Sequence, residues 1–162
     1  MKITIDPFDK KSINEAVKAL KRYEKDFKAK ETEFVRRLKE IGVSVATTGF
    51  ALADYDGVND VLIAETQNGN RALVIAYGET VGFIEFGTGV KYPEYDSSGL
   101  AYTPPPHGSY GKGQGANPNG WWFSQGPGNS RHTYGNPPAE AMLTARDAMI
   151  ERVTEIAREV WR

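Results

Sequence analysis

Apolar residues recur at three- and four-residue steps through Ile13, Ala16, Val17, Leu20, Tyr23 and Phe27, the period of one face of a helix. Ser12-Ile13-Asn14-Glu15 reads as a capping box ahead of that stripe, with the Ser12 hydroxyl accepting from the Glu15 amide and Glu15 reaching back. Phe34, Val35, Leu38, Ile41 and Val45 carry the same period through Gly42 towards Leu52. The apolar phase weakens across Lys28-Ala29-Lys30-Glu31, which predicts two helices, 12–27 and 31–53, rather than one. Asp54-Tyr55-Asp56-Gly57 is a turn by composition. Two β-rich runs, 58–67 and 71–78, then flank Asn68-Gly69-Asn70, whose residues accept left-handed conformations, and predict a β-hairpin. Alternation fails at Val61-Leu62-Ile63-Ala64, so this sheet is expected to be buried on both faces for part of its length.

Val81-Gly82-Phe83-Ile84-Glu85-Phe86-Gly87-Thr88-Gly89 sets a carboxylate between apolar neighbours and then allows a sharp change of direction at two glycines. It reads as a strand end or a helical turn entering a loop. From Tyr92 to Pro138 the chain carries most of its glycine and proline and almost no aliphatic side chain beyond Leu100. The 91–136 stretch is therefore expected to be a long loop, functional or disordered until bound. Trp121-Trp122-Phe123 inside it is either a short added strand, spanning 120–125, or an anchor for a neighbouring subunit. Pro137-Pro138 is expected to open a last helix, whose stripe is Met142, Ala145, Met149, Val153, Ile156 and Val160. The elements predict a single α+β domain over 1–162. N-terminal helices come first, then a small antiparallel sheet with a long Gly/Pro-rich loop, then a C-terminal helix packed on the sheet.

Composition narrows the function more than it names it. With 162 residues the chain suits one domain with a real core. Twenty Lys and Arg against twenty-one Asp and Glu give no overall field for steering towards nucleic acid or acidic membranes. There is no cysteine, so disulfides, thiolate nucleophiles and thiolate zinc sites are excluded. The longest apolar runs are too short to span a bilayer, and Met1–Asp6 lacks a signal-peptide core, so a soluble protein made in the cytoplasm is expected.

Candidate chemical motifs fail on their details. Asp54, Asp56, Asp60 and Glu65 suggest a calcium loop, but Val58 takes a ligand position and Asn59 stands where glycine is required. Gly111-Lys112-Gly113 lacks both the first glycine and the hydroxyl residue of a phosphate loop. His107 and His132 have no carboxylate partner at metal spacing, and nothing in the sequence brings Glu85 and Glu94 together as a hydrolytic pair. No catalytic, cofactor or metal residue is assigned. Glu85 is expected to accept from backbone amides of its own turn, or from an arginine of a neighbouring subunit, and Thr88 to hydrogen-bond locally.

The order of helices, hairpin and Ile84-Glu85-Phe86-Gly87-Thr88-Gly89 resembles the bacteriophage tail-component family, the tail-completion or head–tail joining proteins of long-tailed phages. Tyr134-Gly135-Asn136-Pro137-Pro138-Ala139-Glu140-Ala141-Met142 is similar to that family's closing segment, with Glu140-Ala141 in place of its usual bulky aromatic. Gly120-Trp121-Trp122-Phe123 with His132-Thr133-Tyr134-Gly135 resembles a longer-loop branch. The resemblance implies a structural virion protein and no enzyme, with Glu85, Phe86, Gly87 and Thr88 as a structural motif. It implies a homo-oligomeric ring at the head–tail junction, built in the bacterial cytoplasm. Adjacent connector and tail-tube or tail-terminator proteins are then its partners, and DNA passes through the ring without sequence-specific binding. Trp121, Trp122, Phe123 and Tyr134 are the expected interface residues. A hydrolase using Glu85 beneath a loop lid, and a host-protein binding module using the loop, remain the alternatives.

Overall fold

Asp9 begins the first element by accepting from the backbone amides of Lys11 (2.9 Å) and Ser12 (3.2 Å) through its carboxylate. The helix it caps, α1, runs unbroken from Lys10 to Ala51. This computed structural model describes residues 4–89, 117–124 and 126–162. The capping box expected at Ser12 is corrected: the Ser12 hydroxyl instead accepts from the Asp6 amide at 2.9 Å. The expected break at 28–31 is also corrected. Lys28-Ala29-Lys30-Glu31 contains no glycine or proline, and its polar residues are a solvated turn of one helix. Glu24 pairs with Lys28 and Asp26 with Lys30, four residues apart, and the Thr32 hydroxyl donates to the Lys28 carbonyl. At 42 residues α1 is roughly 63 Å long.

The last helix, α3 (Ala141–Val160), lies antiparallel to the C-terminal half of α1. Ala141 sits against Gly49, Met149 against Gly42, and Glu159 pairs with Arg37 at 2.6 Å. Trp161 packs its ring edge on Phe34, with centroids 5.2 Å apart. A Cβ added at Gly49 would fall 2.7 Å from the Ala141 Cβ and 3.1 Å from its Cα. The missing side chain is what lets the two backbones approach.

Strands β1 (Leu62–Asn68) and β2 (Arg71–Tyr77) form the expected hairpin, pairing Leu62 with Tyr77 through to Asn68 with Arg71. Gly69 takes a φ of +59° in the two-residue turn. The first strand starts later than 58 because Asn59 is otherwise engaged. Its side chain donates to the Phe50 carbonyl at the end of α1 and accepts from the Val61 amide. Ile63, Ala72, Val74 and Ala76 face inward, where Val74 meets Met149 beside Gly42. Phe50, Ile84 and Ala141 form the buried centre, with Tyr55, Val61, Ile63, Ala76 and Met142 around them.

Two further expectations change. The opposite face of the hairpin is open: Leu62, Leu73, Ile75 and Tyr77 are all exposed, so burial on both faces is not achieved within the described residues. The 120–125 run does not extend this sheet. It forms β3 (Trp121–Ser124), paired antiparallel with β4 (Ser130–Thr133) in a separate two-stranded hairpin. The stretch 91–136 is thus partly regular structure from Trp121 onwards. Its segment up to 116, including Glu94, Tyr102, His107, Tyr110 and Gly111-Lys112-Gly113, lies outside the described residues.

Candidate functional site

The residues Val81–Glu85 form one short helix, α2, resolving the choice between strand end and helical turn. Asp60 brackets its start: the carboxylate accepts from the amides of Glu79 (2.7 Å) and Thr80 (3.0 Å) and from the Thr80 hydroxyl. That hydroxyl bond, with the two amides behind it, holds the Asp60 carboxyl below its ordinary pKa.

Glu85 closes α2, and only 4% of it is exposed. Its carboxylate accepts from the Met142 amide at 3.1 Å through both oxygens and from the Leu143 amide at 3.3 Å. These are free N–H groups of the first turn of α3, so Glu85 caps a helix 57 residues away in sequence. The expectation of amide donors holds, but the donors belong to α3 rather than to Glu85's own turn. The α3 cap position itself is poor. Glu140 has a left-handed backbone (φ 50°, ψ 32°) and no side-chain capping bond. A carboxylate brought from elsewhere satisfies the amides and meets the positive end of the helix dipole.

The two chain segments around Glu85 are zipped together. The Ala139 amide donates to the Ile84 carbonyl (2.8 Å) and the Glu140 amide to the Glu85 carbonyl (3.2 Å). Thr88 and Asn136 exchange both backbone hydrogen bonds, and the Thr88 hydroxyl lies 2.5 Å from the Asn136 side-chain oxygen. The Asn136 amide group donates to the Phe83 carbonyl at 2.9 Å. Thr88 therefore bonds across the junction and not locally. Gly135 shows why no side chain fits there: a Cβ would stand 1.9 Å from the Thr88 carbonyl oxygen. This junction also corrects the role of Pro137 and Pro138. They precede α3, which begins at Ala141, because the left-handed backbone at Glu140 interrupts the helix before that point.

The second hairpin faces two ways. Trp121 and Phe123 are half-buried, whereas Trp122, between them, is 68% exposed. Opposite it in register stands His132, whose ring meets Trp122 edge-on at 5.2 Å and Tyr134 at 4.9 Å. Trp122, His132 and Tyr134 form a partly exposed aromatic row. Arg131 ties this hairpin to the turn after α1 through Asp56 at 2.9 Å. The strand reading of Trp121-Trp122-Phe123 therefore holds, and Trp122 is the ring that this strand leaves exposed.

Among the described residues no group of His, Cys, Asp and Glu is arranged to hold a metal ion, and no helix is long and apolar enough to cross a membrane. A cavity of about 400 Å³ between α1 and α3 is lined by Arg36, Arg37, Glu40 and Arg152. Each of its arginines is already paired with a carboxylate. Sequence reasoning missed Asn136 and Asp60 as backbone organisers. Their signal was faint, a polar residue beside Pro137 in one case and beside a strand in the other. No family model, curated protein or solved structure matches the chain.

Proposed function

We propose that this chain is a structural subunit of a phage head–tail junction, a tail-completion or neck protein that joins head and tail as a homo-oligomeric ring around the DNA channel. The observation that carries the reading is the junction of its two motif halves. Glu85-Phe86-Gly87-Thr88 and Tyr134–Met142, the two segments behind the resemblance, are hydrogen-bonded to each other and set the start of α3. Both Glu85 oxygens are engaged by helix amides, which supports a structural rather than a hydrolytic role for it. The exposed Trp122 supplies an aromatic anchor for an adjacent connector, tail-tube or tail-terminator protein. DNA passes through such a ring without base-specific contact.

Immunogold labelling of particles from a lysate expressing the gene tests this. The label should sit at the neck, at one site per particle. Label in the soluble fraction alone, with unlabelled particles, would overturn it.

A further inference from the structure

Seven Lys and Arg fall between residues 10 and 28, and all of them lie on one side of α1. At about 100° per residue, Lys10, Lys11, Lys18, Lys21, Arg22 and Lys25, together with Lys28, fit within about 120° of the helix circumference. Asn14 is the only other residue of that arc, and Glu15 and Asp26 stand just beyond its edge. The apolar stripe of Ile13, Ala16, Leu20, Tyr23 and Phe27 runs along the opposite side.

The two halves of α1 treat their charges differently. From Lys30 onward every base has a carboxylate: Lys30 pairs with Asp26, Arg36 with Glu33 and Glu40, Arg37 with Glu159, and Lys39 with Glu65. Before it only Lys28 does, through Glu24 at 2.6 Å. The other six bases are exposed and have no ion-pair partner among the described residues. Their like charges repel along one face and call for an anion from outside the chain.

We propose that this face binds the phosphate backbone of duplex DNA without reading its sequence. Three features select that occupant. The arc holds no apolar side chain, so it offers neither the apolar core that a protein partner buries nor anything to insert among acyl chains. A bilayer that took up the apolar stripe instead would leave the bases pointing away from its headgroups, and that stripe is already closed at Ala16, which is 4% exposed. The row is also long enough, since Lys10 to Lys28 spans roughly 27 Å, the length of about eight base pairs. The near-zero net charge of the chain confines the attraction to this face, so one copy binds weakly and with a strong salt dependence. DNA binding follows from the face alone; only the statement that this DNA is the molecule threading the ring rests on the proposed function.

The test is fluorescence anisotropy of the full-length protein with labelled duplexes of two unrelated sequences, each of about 20 base pairs, across a salt series. Wild type should bind both alike at low salt, and the logarithm of its association constant should fall against that of salt with a slope of about −5. Lys18→Ala, Lys21→Ala and Lys25→Ala combined should keep the wild-type circular dichroism, since all three sites are exposed and alanine favours helix. That variant should lose about three from the slope and at least about tenfold in affinity. Arg152→Ala removes a paired charge from α3 and should leave both unchanged. No duplex binding at low salt, a triple variant with the wild-type slope, or a comparable loss in Arg152→Ala would overturn the proposal. So would binding to phosphatidylserine-containing vesicles in place of DNA. None of these outcomes bears on whether the protein sits at the neck, which the labelled particles decide.

Discussion

Replacing Glu85 by Gln keeps the size of the side chain and removes half of what it does for α3. The glutamine carbonyl still accepts from one amide, while its NH2 group is turned towards another N–H donor. With three contacts of 3.1–3.3 Å to two buried-end amides, the loss is about one hydrogen bond to a charged acceptor plus the dipole interaction. Together these amount to about 2–4 kcal/mol. For a chain of this size that lowers the melting temperature by about 10 °C. Glu85→Asp keeps the charge but shortens the reach, and should fall between. Urea unfolding gives the free energy, and amide exchange locates it: Met142 and Leu143 should lose protection while the middle of α1 does not. A Glu85→Gln protein with wild-type stability and unchanged exchange at Met142 would refute the capping role. Loss of a hydrolytic turnover in that same variant would move Glu85 into catalysis.

Gly49→Ala should destabilise by about 1–3 kcal/mol despite alanine's better helix propensity, because the new methyl meets the Ala141 backbone; Gly42→Ala meets the movable Met149 thioether instead and should cost less, as paired urea titrations will read. Glu140→Gly should stabilise by about 1 kcal/mol by relieving the left-handed backbone, which a thermal melt measures. The lowered pKa of Asp60 has a definite sign: its stabilisation is present above the ordinary carboxyl value of about 4 and is lost as pH falls through the lower folded value. The stability gap between wild type and Asp60→Asn should therefore shrink in acid, and a gap that widened would contradict the bracket at Thr80.

Hairpin and helix periods were plain in the chain, and so was the turn at Asn68-Gly69-Asn70. The single long α1 was not, because Lys28–Glu31 interrupts the apolar stripe without interrupting helix propensity. Periodicity records which face is buried, and here Ile13, Val17, Leu20 and Tyr23 of that face stay exposed while Ala16 among them is buried. Glu85 was visible as an acid between apolar residues. Its partner amides were not, since a helix start 57 residues on becomes a neighbour only when the Thr88–Asn136 bridge forms. The aromatic run Trp121-Trp122-Phe123 was legible as a strand, and alternation leaves Trp122 exposed between two half-buried rings once β3 has a partner in β4. The open face of β1–β2 ran against the pattern, since its apolar residues predicted burial that one described protomer does not supply.

The central claim is tested most directly by electron microscopy of particles assembled without this gene product, with purified protein added back. The account predicts DNA-filled heads and separate tails, and joined, infectious particles once the protein is restored. Normally joined particles in its absence would contradict it.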